Sequence, residues 1–333
     1  MDGPGEWRAM RLYLTALLVA ALFALPANVY AAGGTTPAVV APTAESLIAK
    51  AEKQWHAGDR KAAIKTLDEA LVLDPKSAGA LVDRGDIKDE LGDHDGAIVD
   101  YNAAIAINPD FEYAYRTKCD TENTLDRYDD AIADCTKAIA LDGTIGASYR
   151  YRSEAKYWND DDDGSLADAT KAIAINPVDQ RAYAQRCQTY TDMSKYDLAL
   201  ADCNKAIALA PDYDWSRYAR GFLYDEMERY AEAKADLTLY LKSNPDSTSS
   251  HLGMARAEFG LGDNAAALTD INLYLKEYSD FAYAILLRAR IEAKLGQTAA
   301  ARTDATSALR HYRIKNNESG AKTAQTFLDS LGA

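Results

Sequence analysis

Cysteines, clustered acids and histidines are the residues of this chain that could carry chemistry, and their spacing narrows it. Cys119 and Cys135 stand 16 residues apart, as do Cys187 and Cys203. No Cys-x-x-Cys pair occurs, so zinc and thioredoxin-like redox readings are weak. The run Asn159-Asp160-Asp161-Asp162-Asp163-Gly164 looks like the start of an EF-hand calcium loop, with Asn159, Asp161 and Asp163 at alternate positions. Such a loop needs a bidentate glutamate at position twelve, where Thr170 stands. Solvated acids and a helix N-cap account for the run more simply. His56, His94, His251 and His311 are scattered, and no nucleophile elbow, metal-binding pair or phosphate loop occurs. The sequence therefore implies no catalytic residue, no metal and no cofactor.

A second set of residues is coupled. Asp100, Asp134, Asp168, Asp202, Asp236, Asp270 and Asp304 recur every 34 residues. Sixteen residues before each lies Arg84, Lys118, Arg152, Arg186, Arg220, Met254 or Arg288, basic in six of seven cases. A repeated pair that cancels its own charge suits architecture better than an electrostatic groove. Arg84 with Asp100, Arg152 with Asp168, Arg186 with Asp202 and Arg220 with Asp236 are read as structural ion pairs between helices.

The elements that position these residues follow the same beat. Pro75, Pro109, Pro177, Pro211 and Pro245 lie on a 34-residue grid, with Gly143 and Ser279 at the two points lacking proline. Each unit shows two apolar stripes at helical spacing, parted by a short polar break such as Leu91-Gly92-Asp93-His94-Asp95. Proline closes the second helix, and the Asp that follows (Asp110, Asp212, Asp246, Asp280) is expected to cap the next one. A fixed period of this length means stacked supersecondary units rather than one globular core.

The two cysteine pairs fall on the same two repeat positions, so each pair would join the helices of one hairpin. In an exported protein this suggests two disulfides. The alternative is that both positions are core sites where a small apolar cysteine packs well, and an expected offset of about one helical turn opposes the bridge.

The 333-residue chain carries 51 Asp+Glu against 37 Lys+Arg, a formal net charge of −14. Nucleic acid and anionic membrane surfaces are disfavoured, because no run of Lys and Arg serves phosphate. The N-terminus reads as a secretory signal. Arg8 and Arg11 precede the apolar stretch Leu12 to Leu25, then Pro26 and Val29-Tyr30-Ala31, with cleavage expected after Ala31. The apolar run is short for a membrane span of about 20 residues. Met10 opens a more typical signal than Met1. Residues 32–43 read as a flexible linker, and 316–333 as a capping helix with Ala321, Ala324, Phe327, Leu328 and Leu331 at helical spacing.

Two helices in 34 residues, with small residues at close-contact points, resemble the tetratricopeptide repeat. The family's small pair matches Ala51/Ala63, Gly85/Ala97, Cys119/Ala131, Ser153/Ser165, Cys187/Ala199, Gly221/Ala233, Ala255/Ala267 and Ala289/Ala301. Its later alanine matches Ala70, Ala104, Ala138, Ala172, Ala206 and Ala308, whereas Tyr240 and Tyr274 depart from it. The resemblance covers eight tandem copies over residues 44–315. It implies an all-α fold, an α-solenoid of helix–turn–helix repeats forming a right-handed superhelix, with the first helix of each repeat lining a concave face. On that face the matching positions run from acidic and mixed (Asp86, Asp89, Glu90) to aromatic and apolar. The second group is the candidate peptide groove: Trp215, Tyr218, Phe222, Leu252, Phe259, Tyr283 and Leu286. The clamp of lysine and asparagine that chaperone-tail-binding members use is replaced by residues such as Ile48, Glu52 and Asp83.

These features together imply a non-enzymatic scaffold or adaptor of the bacterial cell envelope, periplasmic or secreted, binding a protein or peptide segment. After signal cleavage no stable membrane span remains. Two rivals stand beside it: a module that self-associates into a homo-oligomer, and a small-ligand or calcium-binding solenoid.

Overall fold

The computed structural model describes residues 41–332. The expected signal sequence and most of the expected linker lie outside them. The described residues form helices and turns without strands.

Two compact units divide the chain near residue 143. The first holds α1 (Ala44–His56), α2 (Arg60–Leu73), α3 (Ala78–Glu90), α4 (His94–Ile107), α5 (Glu112–Thr124) and α6 (Tyr128–Leu141). The second begins with α7 (Gly146–Trp158), α8 (Asp162–Ile175), α9 (Gln180–Asp192), α10 (Tyr196–Leu209), α11 (Trp215–Glu226) and α12 (Tyr230–Ser243). It continues with α13 (Thr248–Gly260), α14 (Asn264–Glu277), α15 (Ala282–Lys294), α16 (Thr298–Ile314) and α17 (Glu318–Ser330). Within each unit the helices pack as hairpins, α1 on α2, α3 on α4 and so on, and each second helix also packs on the first helix of the next hairpin.

Small residues let the two helices of a hairpin approach. A Cβ on Gly85 would lie 2.5 Å from Cε1 of Tyr101, and one on Gly221 would lie 2.8 Å from Cγ of Leu237. At Ser153 and Ser165 the same approach is sealed by a hydrogen bond from the Ser153 hydroxyl to the Ser165 carbonyl, 2.8 Å.

The turns explain the period. The residue before each proline is extended, as proline demands: Asp74, Asn108, Asn176, Ala210 and Asn244 all leave the helical region. Asp142 and Tyr278 adopt the same conformation ahead of Gly143 and Ser279, so the beat holds without proline. Asp110, Asp212, Asp246 and Asp280 do not cap the following helices, which corrects the sequence expectation. The caps are Phe111, Asp214, Ser247 and Phe281, one or two residues later. At Asn108 a side-chain turn spans the proline, its Oδ1 accepting the Asp110 N–H at 3.2 Å.

Side-chain caps sit on three first helices, at Thr43, Ser77 and Asp179, and on four second helices. Asp59, Asp93, Asp161 and Asp263 each accept the N–H three residues on. The residue before every second-helix N-cap from α2 to α16 has positive φ. It is Gly58, Gly92, Gly262 or Gly296 in four hairpins, and Asp126, Asp160, Ser194 or Glu228 in the others.

In the last hairpin α17 packs on α16. Ala321, Phe327 and Leu328 meet the core around Tyr274 and Leu286, and Arg302 donates to the Leu331 carbonyl at 3.1 Å.

Candidate functional site

The aromatic residues of α11 form a ladder because spacings of three and four put them on one helix face. Trp215 stacks on Tyr218 with centroids 4.6 Å apart, and Tyr218 meets Phe222 at 4.6 Å. Tyr218 also lies 5.0 Å from Tyr240 of α12, and its hydroxyl is 3.2 Å from Ser249 Oγ of α13. Phe222 lies against the backbone of α13 where Gly253 leaves room: a Cβ there would sit 3.2 Å from Phe222 Cζ. Trp215, Tyr218 and Phe222 all remain half-buried. Tyr240, at a position where an alanine is expected, thus packs against the ladder.

The rest of the expected groove is placed differently. Leu252 is 0% exposed and Leu286 2%, so both belong to the core and not to a surface. They sit where successive first helices pack on one another, α11 on α13 and α13 on α15, and an apolar side chain there is drawn into the contact. Phe259 and Tyr283 are half-buried against that core.

Beyond Phe222 the face ends in charge. Arg256 of α13 holds Asp225 Oδ2 with Nε at 2.7 Å and Glu226 Oε1 with Nη1 at 3.0 Å, both from α11. Its guanidinium lies 5.7 Å from the Tyr283 ring centre. Burial pushes the Asp225 carboxyl up to about 7, against the opposing pull of Arg256.

In the first unit the equivalent face is acidic. Asp86 accepts hydroxyl bonds from Tyr101 at 2.8 Å and Tyr113 at 2.7 Å. Asp89 accepts from Thr121 at 2.9 Å and lies 2.7 Å from His94 Nδ1. Burial, then Asp86 and Glu52, push the Asp83 carboxyl up to about 6. Glu90 accepts from Trp55 Nε1 at 3.0 Å.

The expected ion pairs are two-pronged. Arg84 meets Asp100 through Nε and Nη2 at 2.9 and 2.6 Å. The same fork joins Arg152 to Asp168, Arg186 to Asp202, Arg220 to Asp236 and Arg288 to Asp304. Lys118 reaches Asp134 at 2.7 Å. Where Met254 breaks the series, His251 Nδ1 lies 2.6 Å from Asp270.

One residue along from these pairs, Cys119 is bonded to Cys135 and Cys187 to Cys203, with Cα atoms 5.5 and 5.4 Å apart. Those distances lie within the ordinary range for a disulfide, so the helix offset does not oppose the bridge. In the acidic run, Asp161 caps α8 through Gly164 N–H at 2.9 Å. Among the described residues no group of three His, Cys, Asp or Glu is arranged to hold a metal ion. Nor is any described helix long and apolar enough to cross a membrane.

The fold and this repeated architecture define an all-α solenoid of helix–turn–helix repeats. Family models for the tetratricopeptide repeat match residues 48–110, 181–213 and 218–280. The chain belongs to the tetratricopeptide-repeat family, whose repeats generally mediate protein–protein interaction. Among solved structures it resembles the Cut9–Hcn1 hetero-tetramer of APC/C at 14% identity and a TM-score of 0.67, over 87% of this chain and 56% of that one. It resembles PilF of Pseudomonas aeruginosa at 16% identity and a TM-score of 0.53, over 65% of this chain and 96% of that one. A tetratricopeptide-repeat protein from Parabacteroides merdae ATCC 43184 matches at 18% identity and a TM-score of 0.44, over 87% of this chain and 99% of that one. No curated protein sequence matches the chain.

Proposed function

We propose that this protein is an exported, non-enzymatic adaptor of the bacterial cell envelope that binds a protein or peptide segment on the face built from its first helices. The observation that carries this reading is the ladder of Trp215, Tyr218 and Phe222. A stacked Trp215–Tyr218 pair continued by the tilted ring of Phe222, braced by Tyr240 and half-buried, forms a rigid apolar anchor of the kind that dominates binding energy at interfaces. The acidic face of the first unit, with Asp83, Asp86 and Asp89, favours basic or neutral residues in whatever segment it meets. The secretory pattern of residues 8–31 supports export.

Capture from the organism's envelope extract tests the reading. The mature chain is compared with the same chain carrying Trp215→Ala and Phe222→Ala, and with a Leu198→Ala control on α10, where an exposed leucine lies on a second helix. A protein retained by the wild type and the control but lost from the double variant supports the adaptor. Equal capture by all three removes the ladder from the site.

A further inference from the structure

The two most exposed large apolar side chains among the described residues stand in opposite charge surroundings. Val72, in the last turn of α2, is 79% exposed, and Ile314, in the last turn of α16, is 69% exposed. Leu73 extends the first patch, and Asp68, Glu69 and Asp74 lie within one turn of Val72 in sequence, all exposed. Around Ile314 the neighbours at the same range are Arg310, Arg313 and Lys315, also exposed. Thr306, Leu309, Arg310, Arg313 and Ile314 line an open groove along α16.

The packing of repeats asks for neither patch. Asp68 and Glu69 are the acids of their two repeat positions: every later hairpin has asparagine or threonine at the first, and alanine, lysine, leucine or serine at the second. At the position of Val72 the next four hairpins carry alanine, and the last three carry Lys242, Lys276 and Arg310. Asp74 sits at the C-cap of α2, where the helix dipole disfavours negative charge. At the other patch, α16 has 17 residues where α2 and α14 have 14, and the extra turn is what carries Arg313 and Ile314. The dipole of α16 accounts for basic residues at its end, but not for an exposed isoleucine among them.

The same polarity marks the two ends of the repeat series. Residues 41–143 hold 22 Asp and Glu against 12 Lys and Arg, whereas residues 281–332 hold 8 Lys and Arg against 4 Asp and Glu. Opposite charges lie near each patch without reversing its sign. Arg84 holds Asp68 at 2.6 Å and leaves its side chain 54% exposed. Lys65 lies two turns before Val72, Lys76 follows Pro75, and Glu318 opens α17.

We propose that the exposed face of α16 docks a second copy of this chain, head to tail, through the α2 patch of that copy. Ile314 would pack on Val72 and Leu73, removing exposed apolar surface from water. Arg310, Arg313 and Lys315 would face Glu69, Asp74 and the open side of Asp68, which sets orientation and rejects like-charged pairings. The contact joins two different patches, so each copy can engage one neighbour at α2 and another at α16, and copies link in series. The α11 ladder takes no part, so this contact and the proposed binding face stand or fall separately.

Sedimentation velocity of the mature chain over a wide range of concentration tests the contact. One variant, Glu69→Arg with Val72→Arg, spoils the α2 patch. Another, Arg310→Glu with Ile314→Glu, spoils the α16 patch. All four residues are exposed, so both variants should keep the unfolding midpoint of the wild type; Val72→Ser and Ile314→Ser replace them if either does not fold. The wild type is expected to sediment faster as its concentration rises. Each variant alone is expected to stay monomeric, while an equimolar mixture regains one intact contact and stops at the dimer. A wild type that is monomeric throughout overturns the proposal and leaves the α16 face to a different acidic partner. Association that persists in either variant alone overturns it as well, as does association abolished by Trp215→Ala, which would move the contact to the ladder.

Discussion

Arg220 grips Asp236 with two parallel bonds, Nε to Oδ2 at 2.6 Å and Nη2 to Oδ1 at 2.9 Å, and turns its remaining nitrogen back to Asn204 Oδ1 at 2.7 Å. One guanidinium on α11 thus ties its own second helix, α12, to the preceding one, α10. Arg84 does the same with Asp68, Arg186 with Thr170 and Arg288 with Asn272. The fork is a fastening between neighbouring repeats as well as within one. Replacing Arg220 by alanine leaves Asp236 buried without its partner and is expected to cost about 2–3 kcal/mol. Arg220→Lys keeps the charge but not the fork and should cost roughly 1 kcal/mol. Urea unfolding of both variants checks the order.

The disulfides reinforce the same level of the hairpins. Closing a loop of this size stabilises by about 3 kcal/mol in the chain-entropy model. The variant Cys187→Ala, Cys203→Ala should therefore unfold earlier by about 2–4 kcal/mol, and a reducing agent should destabilise the wild type while leaving a variant lacking all four cysteines unchanged. Thermal unfolding with and without reductant makes the comparison.

Gly85 and Gly79 lie in one helix with opposite expectations. A Cβ at Gly85 would strike the buried Tyr101 ring, whose hydroxyl is bonded to Asp86. Gly85→Ala should destabilise by about 1–3 kcal/mol through overpacking. At Gly79 nothing lies within 4 Å, and Gly79→Ala should stabilise by about 0.5 kcal/mol through helix propensity. Urea midpoints of opposite sign are the expected result.

Glu228 occupies the turn between α11 and α12 with φ 57°, in the left-handed region where four other hairpins use glycine. Glu228→Gly should relieve that strain and stabilise the chain by about 1 kcal/mol. A calorimetric melting temperature above that of the wild type is the predicted readout.

The 34-residue beat made the helices and their hairpin partners legible, because proline, small residues and apolar stripes all repeat with it. The ion pairs were legible for the same reason: Arg220 and Asp236 each recur on the grid. What a linear pattern hides is which side of a first helix meets its neighbour. Leu252 and Leu286 share a register position with Tyr218, yet only the tyrosine is long enough and polar enough to keep one edge at the surface. The reach of Arg220 to Asn204 was hidden for another reason. Its partner position varies among Asp68, Thr170, Asn204 and Asn272, which share a hydrogen-bonding oxygen and no single residue type.

The most direct test of the account is the affinity of a captured envelope partner for the wild-type chain and for Trp215→Ala, measured by titration calorimetry at one salt concentration. Trp215 lies at the open end of the ladder, so its removal should leave the fold intact, checked by an unchanged unfolding midpoint. An interface anchor of this kind predicts binding weaker by about thirtyfold, the effect of losing about 2 kcal/mol. Unchanged affinity in a folded Trp215→Ala chain would contradict the aromatic face of α11 as the binding site.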